Sequence, residues 1–436
     1  MVVRIAHTSD THLGTRPREG VRSDVWAVEM RTRLLENDFY ERFAEVFDTI
    51  ASLDPPVDLV VHSGDLYDSP SDDNPSQPPV VAQETALSVL KGFTEKTGVP
   101  VLVIEGNHGL YRSLDVSLLD SLRMSISRLN VATHVDLKRA LNKHEPLKFS
   151  YGELDVFCFP YMSASIIESS DLAAEFNDWI LTCQRPESRR LSVAVVHGMD
   201  LDHTLHPSIF SMGYDYIALG HDHRQHKHSE NAWYAGSTER WRFDESGHKK
   251  GFLVAELAKG KPPAISPHYF TFKRPVYNRR MTTDDVGTAD SLVEKLDAWF
   301  TEKGMKGAWD STTAARIRLV FRGSSNVGNL DASDAMESYR TKVMQPGSQY
   351  NIVQLVWTTQ RPNIEPSQFA YPEMESEYLI ENPEEDFRAY LDTLKGIDKQ
   401  FDPGLLTKVA VRALKMSVKR GEQKLTLETL SEDGGK

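Results

Sequence analysis

A chain of 436 residues with 40% apolar content is long enough for two or three domains around sizeable cores. Its 50 Lys and Arg against 63 Asp and Glu leave a formal charge of -13, which argues against simple electrostatic coating of nucleic acid: such a partner would have to be held by a local basic surface or through metal ions. The isolated Cys158 and Cys183 exclude a disulfide framework and a thiolate metal site, and no apolar run approaches the roughly 18 to 20 residues of a bilayer span.

The opening segment MVVRIAHTSD reads as a short strand rather than a secretory signal, and the expected location is the cytoplasm. From there one local design recurs: a short apolar run of strand length, then glycine and residues able to ligate metal or accept protons. The cases are VRIAHTSDTH (3–12), VDLVVHSGDLYD (57–68), PVLVIEGNHG (100–109), LSVAVVHGMD (191–200) and YDYIALGHDH (214–223). Helical patterns lie between them at 41–53, 82–98 and 170–183. The alternation implies a layered α/β domain, in which ligands gather beyond the carboxyl ends of the strands, so clusters far apart in sequence converge on one rim.

After 231–257, read as strands and turns, the ligand-type clusters stop. Residues 268–285 read as a passage into a smaller α+β unit with helix, strand, helix and strand in turn. The expected domains are 1–276, then 277–360, then a Pro- and Glu-rich linker and amphipathic helices over 361–436.

The ligand candidates are Asp10, His12, Asp65, Asn107 with His108 beside it, His197, His221 and His223. Carboxylates, an amide oxygen and imidazoles suit borderline or hard divalent ions such as Mn²⁺, Fe²⁺ or Zn²⁺. The set exceeds what one tetrahedral ion takes, whereas two ions sharing a carboxylate use it fully, and such a pair suits in-line displacement at phosphorus. Residues i and i+2 of an extended segment share a side, so Asp10 with His12, and His221 with His223, both aim inward. Gly64, Gly106, Gly198 and Gly220 sit beside the ligands, where a side chain would crowd a tight turn or a substrate phosphate.

The ordered set DTH, GDLYD, GNH, VVHG and GHDH resembles the calcineurin-like metallophosphoesterase superfamily over roughly residues 1–250. HTSDTHLG, HSGDLYDS and AGSTERWRF narrow the resemblance to the SbcD-type DNA-repair exonucleases. The resemblance implies an α/β/β/α sandwich nuclease domain, a smaller α+β cap domain and C-terminal helices that dock an SbcC-type coiled-coil ATPase. It implies one metal on Asp10, His12 and His223, a second on Asn107, His197 and His221, and Asp65 bridging, with water or hydroxide between the ions attacking a DNA phosphodiester. His108 then stabilises or protonates the leaving oxygen, and Asp68 orients His108. Family members form homodimers through helices near the third motif, here SLLDSLRMSISRL (117–129). One departure stands out: the family has Asp or Glu after GNH, and this chain has Gly109.

Other features have plainer readings beside the functional ones. His226 and His228 fall beyond the motif, and their default is a polar loop, with phosphate contact as the functional alternative. Asp72 and Asp73 read as loop solvation. Arg16, Arg18 and Arg22 after THLG, and Arg240 and Arg242 around Trp241, are either DNA-backbone contacts or ordinary surface and structural pairs. The expected function is a Mn²⁺-dependent DNA exo- and endonuclease trimming ends in double-strand-break repair. Two alternatives remain: a dimetal phosphoesterase of small substrates, and a non-catalytic scaffold for DNA or the ATPase.

Overall fold

The computed structural model describes residues 2–15, 25–68, 77–109, 116–162, 170–185, 190–199, 204–282, 288–322, 329–345 and 347–360. The expected C-terminal helices of 361–436, together with Arg16, Arg18, Arg22, Asp72 and Asp73, lie outside the described residues.

Four short apolar runs, β1 (Val2–Thr8), β2 (Leu59–His62), β3 (Val101–Ile104) and β4 (Leu129–Ala132), lie side by side as parallel strands. The hairpin β11 (Gly251–Ala258) and β12 (Ala264–Tyr269) completes their sheet, with β11 antiparallel to β1 and the order β12-β11-β1-β2-β3-β4. A second six-stranded sheet contains β5 (Lys148–Tyr151), β6 (Leu154–Phe159), β7 (Leu191–His197), β8 (Tyr216–Gly220), β9 (His226–Lys227) and β10 (Ala232–Tyr234), in the order β5-β6-β7-β8-β10-β9. Every residue of β2, β3, β7 and β8 is buried, so these strands are apolar runs without alternation, as strands covered on both faces must be.

The two sheets face each other through Ile5, Val61 and Leu102 on one side and Val156, Val193 and Ala218 on the other. Helices α1 (Val25–Ala51), α2 (Val80–Thr97) and α3 (Asp120–Ser125) cover the first sheet, packing Phe43, Phe47, Leu90 and Leu122 on Val60, Val103 and Phe252. Helices α4 (His134–Lys143) and α5 (Ser170–Thr182) cover the second, with Leu137, Trp179 and Ile180 on Phe157, Val196 and Leu219. The result is the α/β/β/α layering expected for a metallophosphoesterase. A third sheet, β13 (Val276–Thr282), β14 (Ala315–Arg322) and β15 (Ile352–Gln360), has its own core with α6 (Ala289–Glu302) and α7 (Asn329–Met344), built on Leu296, Phe300, Ile317 and Met336.

Several local expectations need correction. The first helix begins at Val25 rather than near Glu41, because Leu35 and Phe39 continue the four-residue spacing of buried Phe43 and Phe47. The stretch 117–129, expected to carry the helices near the third motif, is helical only over Asp120–Ser125: Ile126 turns extended, and Leu129 pairs with Val101 as the first residue of β4. The passage at 268–285 consists partly of strand, since His268 and Tyr269 end β12 and β13 begins at Val276. Helix α4 and the β5–β6 hairpin are additional elements. The α4 start is fixed by a capping box between Thr133 and Asp136, and the hairpin turns at Gly152 in the left-handed region.

Candidate metal centre

The parallel pairing of β1 with β2 continues past the strand ends as a backbone ladder. Asp10 N–H donates to Gly64 O at 3.0 Å, His12 N–H to Asp65 O at 3.0 Å and Leu13 N–H to Leu66 O at 2.9 Å. Carrying the ladder through two tight loops puts residues with side chains into left-handed backbone, with φ of 50° at Asp10, 47° at His12 and 54° at Asp65, and the turn after β8 does the same at His221, with φ of 98°. Among the described residues the other non-glycine with positive φ is His144, which ends α4. Such conformations cost on the order of 1 kcal/mol or more each, and their concentration on ligand-type residues marks strain held for a purpose.

The side chains those loops project converge. His12 Nε2 and His223 Nε2 lie 2.9 Å apart, with Asp10 Oδ1 4.0 Å from His223 Nε2 and Asp65 Oδ2 3.9 Å from His12 Nε2. On the other side of Asp65, Asn107 Oδ1 lies 2.9 Å from both His197 Nε2 and His221 Nδ1, and Asp65 Oδ2 lies 3.4 Å from His197 Nε2. Asp10, His12 and His223 could thus hold one metal ion, and Asp65, His197 and His221 another. A third grouping, His12, Asp68 and His108, satisfies the same spacing. The seven expected ligands fall together, with Asp65 between the two groups.

Outer contacts fix which nitrogen faces inward. His197 Nδ1–H donates to Ser63 O at 2.8 Å, and His223 Nδ1–H donates to Glu245 Oε1 at 2.8 Å, so each turns the lone pair of Nε2 to the centre. Burial holds the His12 imidazole below its usual value, in the neutral form that ligation needs. For His197, burial works in the same direction, but the Asp65 carboxylate outweighs it and raises the group. Ring nitrogens, an amide oxygen and carboxylate oxygens facing one another this closely in a buried site fit a divalent cation as their common partner.

Glu245 is itself held. Its Oε2 accepts from Lys250 Nζ at 2.6 Å, and that ammonium, fully buried, also donates to Ser237 Oγ at 2.6 Å and His223 O at 2.9 Å. Burial alone would raise the Glu245 carboxyl, but His223 and Lys250 bring it well below the ordinary range. Trp241 stacks on His12 with centroids 4.8 Å apart and planes 8° apart, stands edge-on to His108 at 5.2 Å, and donates from Nε1 to Thr15 Oγ1 at 2.7 Å. Ser63, Trp241, Glu245 and Lys250 were not among the sequence candidates. Of these, Trp241 lies within AGSTERWRF and Ser63 within HSGDLYDS, whereas Glu245 falls outside every motif and a buried Lys250 directly after an exposed Lys249 gives no pattern.

His108 and Asp68 stand at the edge of this centre. His108 Nδ1 lies 3.1 Å from Asp68 O and 3.3 Å from Asp68 Oδ1, and its backbone N–H donates to Asp65 Oδ1 at 2.8 Å. Asp68 Oδ1 is also 3.4 Å from His12 Nδ1. Burial by itself would lower the His108 imidazole, but the carboxylates of Asp65 and Asp68 raise it to about 9.

The glycines behave unequally. A Cβ on Gly64 would stand 2.0 Å from His197 Nδ1, one on Gly106 2.1 Å from Asp65 Oδ1, and one on Gly220 2.0 Å from Ser63 O. On Gly198 it would meet Thr204 O at 2.7 Å instead, and at Gly109 only Glu105 Cγ at 3.7 Å, so space does not demand glycine there. Of the arginines, Arg240 lies over Phe272 at 3.7 Å and is half-buried, whereas Arg242 is exposed over Trp241 at 4.4 Å. His226 and His228 do not sit in a solvated loop: His226 stacks on Tyr234 at 4.8 Å and His228 on Phe210 at 4.5 Å, because β9 folds back against β10. Cys158 and Cys183 are free and buried.

The calcineurin-like phosphoesterase family model matches residues 3–225, just over half of the chain. This chain belongs to the calcineurin-like phosphoesterase family. The matched residues end at Gln225, two residues past His223, and so contain all seven ligand candidates. Among individual phosphoesterase relatives, the DNA double-strand break repair protein Mre11 of Saccharolobus solfataricus is 26% identical over 279 residues, 60% of this chain and 62% of that one. The protein of the same name from Methanococcus maripaludis is 37% identical over 111 residues, 26% of this chain and 24% of that one. One component of the nuclease SbcCD of Bacillus subtilis is 30% identical over 108 residues, 24% of this chain and 22% of that one. The match therefore spans less than two thirds of each of these relatives. The family implies divalent metal ions, and the clustered donors are suited to them.

Proposed function

We propose that the chain is a metal-dependent phosphodiesterase acting on DNA, an exo- and endonuclease that trims ends in double-strand-break repair. The observation that carries the reading is the convergence of Asp10, His12, Asp65, Asn107, His197, His221 and His223 at one rim, with Asp65 within 4 Å of imidazoles in both groups. The printed names of the relatives, two repair proteins and a nuclease, support DNA as the substrate.

In this reading Asp10, His12 and His223 hold one ion, Asn107, His197 and His221 the other, and Asp65 both, with Mn²⁺ the best fit to the mixed oxygen and nitrogen set. Ions bound there supply Lewis acidity and make water near them acidic enough to attack phosphorus at neutral pH. The chain's own residues do the rest. Glu245 and Ser63 aim the imidazoles of His223 and His197. Asp68 holds His108, which protonates the leaving oxygen. Arg242, together with Arg16 and Arg18 after THLG, positions the strand through its phosphates. The 277–360 unit caps the site and orients DNA, the 361–436 segment docks a coiled-coil ATPase of SbcC type, and the enzyme works as an intracellular homodimer.

The test compares cleavage of plasmid and oligonucleotide DNA with hydrolysis of bis(p-nitrophenyl) phosphate, each with Mn²⁺ and with chelator. DNA cleavage that requires Mn²⁺ is expected. Hydrolysis of the small ester alone would move the reading to a small-substrate phosphoesterase, and no hydrolysis of either would leave a binding scaffold.

A further inference from the structure

The histidine-rich stretch that carries His221 and His223 runs on into a cleft that the metal centre does not use. Arg224, Gln225 and His226 on one side, His248 and Lys249 on another, and Tyr269 at the end of β12 enclose about 430 Å³. The first wall begins one residue past His223. The start of β11 lies beside the end of β1, with Leu253 opposite His7 and Gly251 opposite Tyr269, so the cleft opens on the same rim as Asp10.

Its chemistry runs against that of the whole chain. None of the six lining residues is acidic, in a protein of net charge -13. The Arg224 side chain is 61% exposed, and its guanidinium is held at the cleft wall by Asp222, 12% exposed, whose carboxylate accepts from Nη2 at 3.3 Å and from Nε at 3.5 Å. Lys249 Nζ stands 4.9 Å from the ring centroid of Tyr269, a residue 49% exposed. His226 is fixed by its stack on Tyr234 and by a 3.0 Å contact of Nδ1 with Arg224 O. Both β9 and β12 are edge strands, and cations alone would be explained as protection of an edge from pairing. Edge protection does not call for a half-exposed aromatic ring beside a cation, as Tyr269 is beside Lys249. A phosphate with its attached base does.

We infer that this cleft binds one nucleotide unit of a single nucleic-acid strand whose neighbouring phosphate lies at the metal centre. Arg224 and Lys249 take the phosphate oxygens and Tyr269 takes the base. The inference rests on the phosphodiesterase reading above and adds a subsite to it.

The test uses Mn²⁺-loaded protein and a fluorescent phosphorothioate oligothymidylate, with anisotropy measured across a salt series, alongside bis(p-nitrophenyl) phosphate hydrolysis. Loss of two phosphate contacts in Arg224→Ala with Lys249→Ala should flatten the dependence of log Kd on log salt by about 1.4, at about 0.7 per contact on single strands. Tyr269→Ala should raise Kd by about fivefold or more. Hydrolysis of the small ester should be unchanged in both variants. Variants that bind with the parent's affinity and salt slope overturn the subsite while leaving the nuclease reading intact. A parent that hydrolyses the small ester but binds no oligonucleotide overturns both. A parent that binds the oligonucleotide but hydrolyses nothing overturns the enzyme reading alone, and the variants' affinities then decide the cleft.

Discussion

His223 and Glu245 are joined by a 2.8 Å hydrogen bond, ring Nδ1–H to carboxylate, and the other oxygen of that carboxylate takes the buried ammonium of Lys250 at 2.6 Å. An expected ligand is thereby tied to an ion pair from a segment 22 and more residues further along the chain. The pair sets the tautomer of His223 and keeps its Nε2 turned to the centre.

Replacing Glu245 should therefore act on metal binding and on stability in separable ways. Glu245→Gln leaves Lys250 buried without its counter-charge, a loss of about 3 to 5 kcal/mol, read as a lower urea midpoint. It should also weaken Mn²⁺ binding about 10- to 100-fold by calorimetry. Adding Lys250→Met should restore much of the stability but not the affinity. Parent-like Mn²⁺ affinity in the double variant would remove Glu245 from the account.

His108→Ser tests the proton donor. Its imidazole touches Asp68 and stands outside the seven converging donors, so Mn²⁺ stoichiometry should hold while DNA cleavage falls about 10²- to 10⁴-fold. An unchanged rate would take His108 out of the chemistry.

His7 gives a pH dependence of stability. It is fully buried between Tyr216 OH at 2.8 Å and Ser63 Oγ at 2.9 Å, and burial, helped by nearby His62, lowers it to about 3. Between that value and the ordinary value of about 6.5 the unfolded chain binds a proton that the fold refuses. Stability from this group is complete above pH 6.5 and is lost as pH falls, by up to about 1.4 kcal/mol per pH unit. Urea unfolding at pH 7, 6 and 5 should show the slope, and His7→Gln should reduce it by about one proton; an equal slope in the variant would refute the assignment.

Two glycine substitutions should part company in a thermal melt. Gly220→Ala puts a methyl 2.0 Å from Ser63 O and 2.3 Å from Ser9 Oγ and should cost about 1 to 3 kcal/mol, whereas Gly109→Ala meets only Glu105 Cγ at 3.7 Å and should be near neutral. Equal melting temperatures would show that the Gly220 contact is relieved cheaply.

The site was legible in the sequence because each candidate follows a strand directly, and parallel strands deliver their carboxyl ends to one rim whatever their separation along the chain. That ground brings His197 and Asp65 to one rim, and the family resemblance, not the spacing, implied that they share an ion. Glu245, Trp241 and Lys250 were not legible, since Glu245 reaches the centre from a 3-10 turn, Trp241 by stacking on His12, and Lys250, just before β11, only through Glu245 and the carbonyl of His223. The same limit applies to the fold. The fully buried strands β2, β3, β7 and β8 stand out by their apolar runs and flanking glycine, but β5 spans only four residues and α4 only ten, so the alternation of the one and the buried face of Val135, Leu137 and Ala140 in the other extend over too few residues to be picked out of the surrounding chain. Residues 117–129 have a helical composition that sheet pairing at Leu129 overrides.

Anomalous scattering from a crystal of the protein soaked in Mn²⁺ tests the central claim most directly. Two peaks about 3.5 to 4 Å apart should appear on either side of the Asp65 carboxylate, one among Asp10, His12 and His223 and the other among Asn107, His197 and His221. A single peak, or manganese bound away from Asp65, would contradict a shared two-ion centre and with it the proposed phosphodiester chemistry.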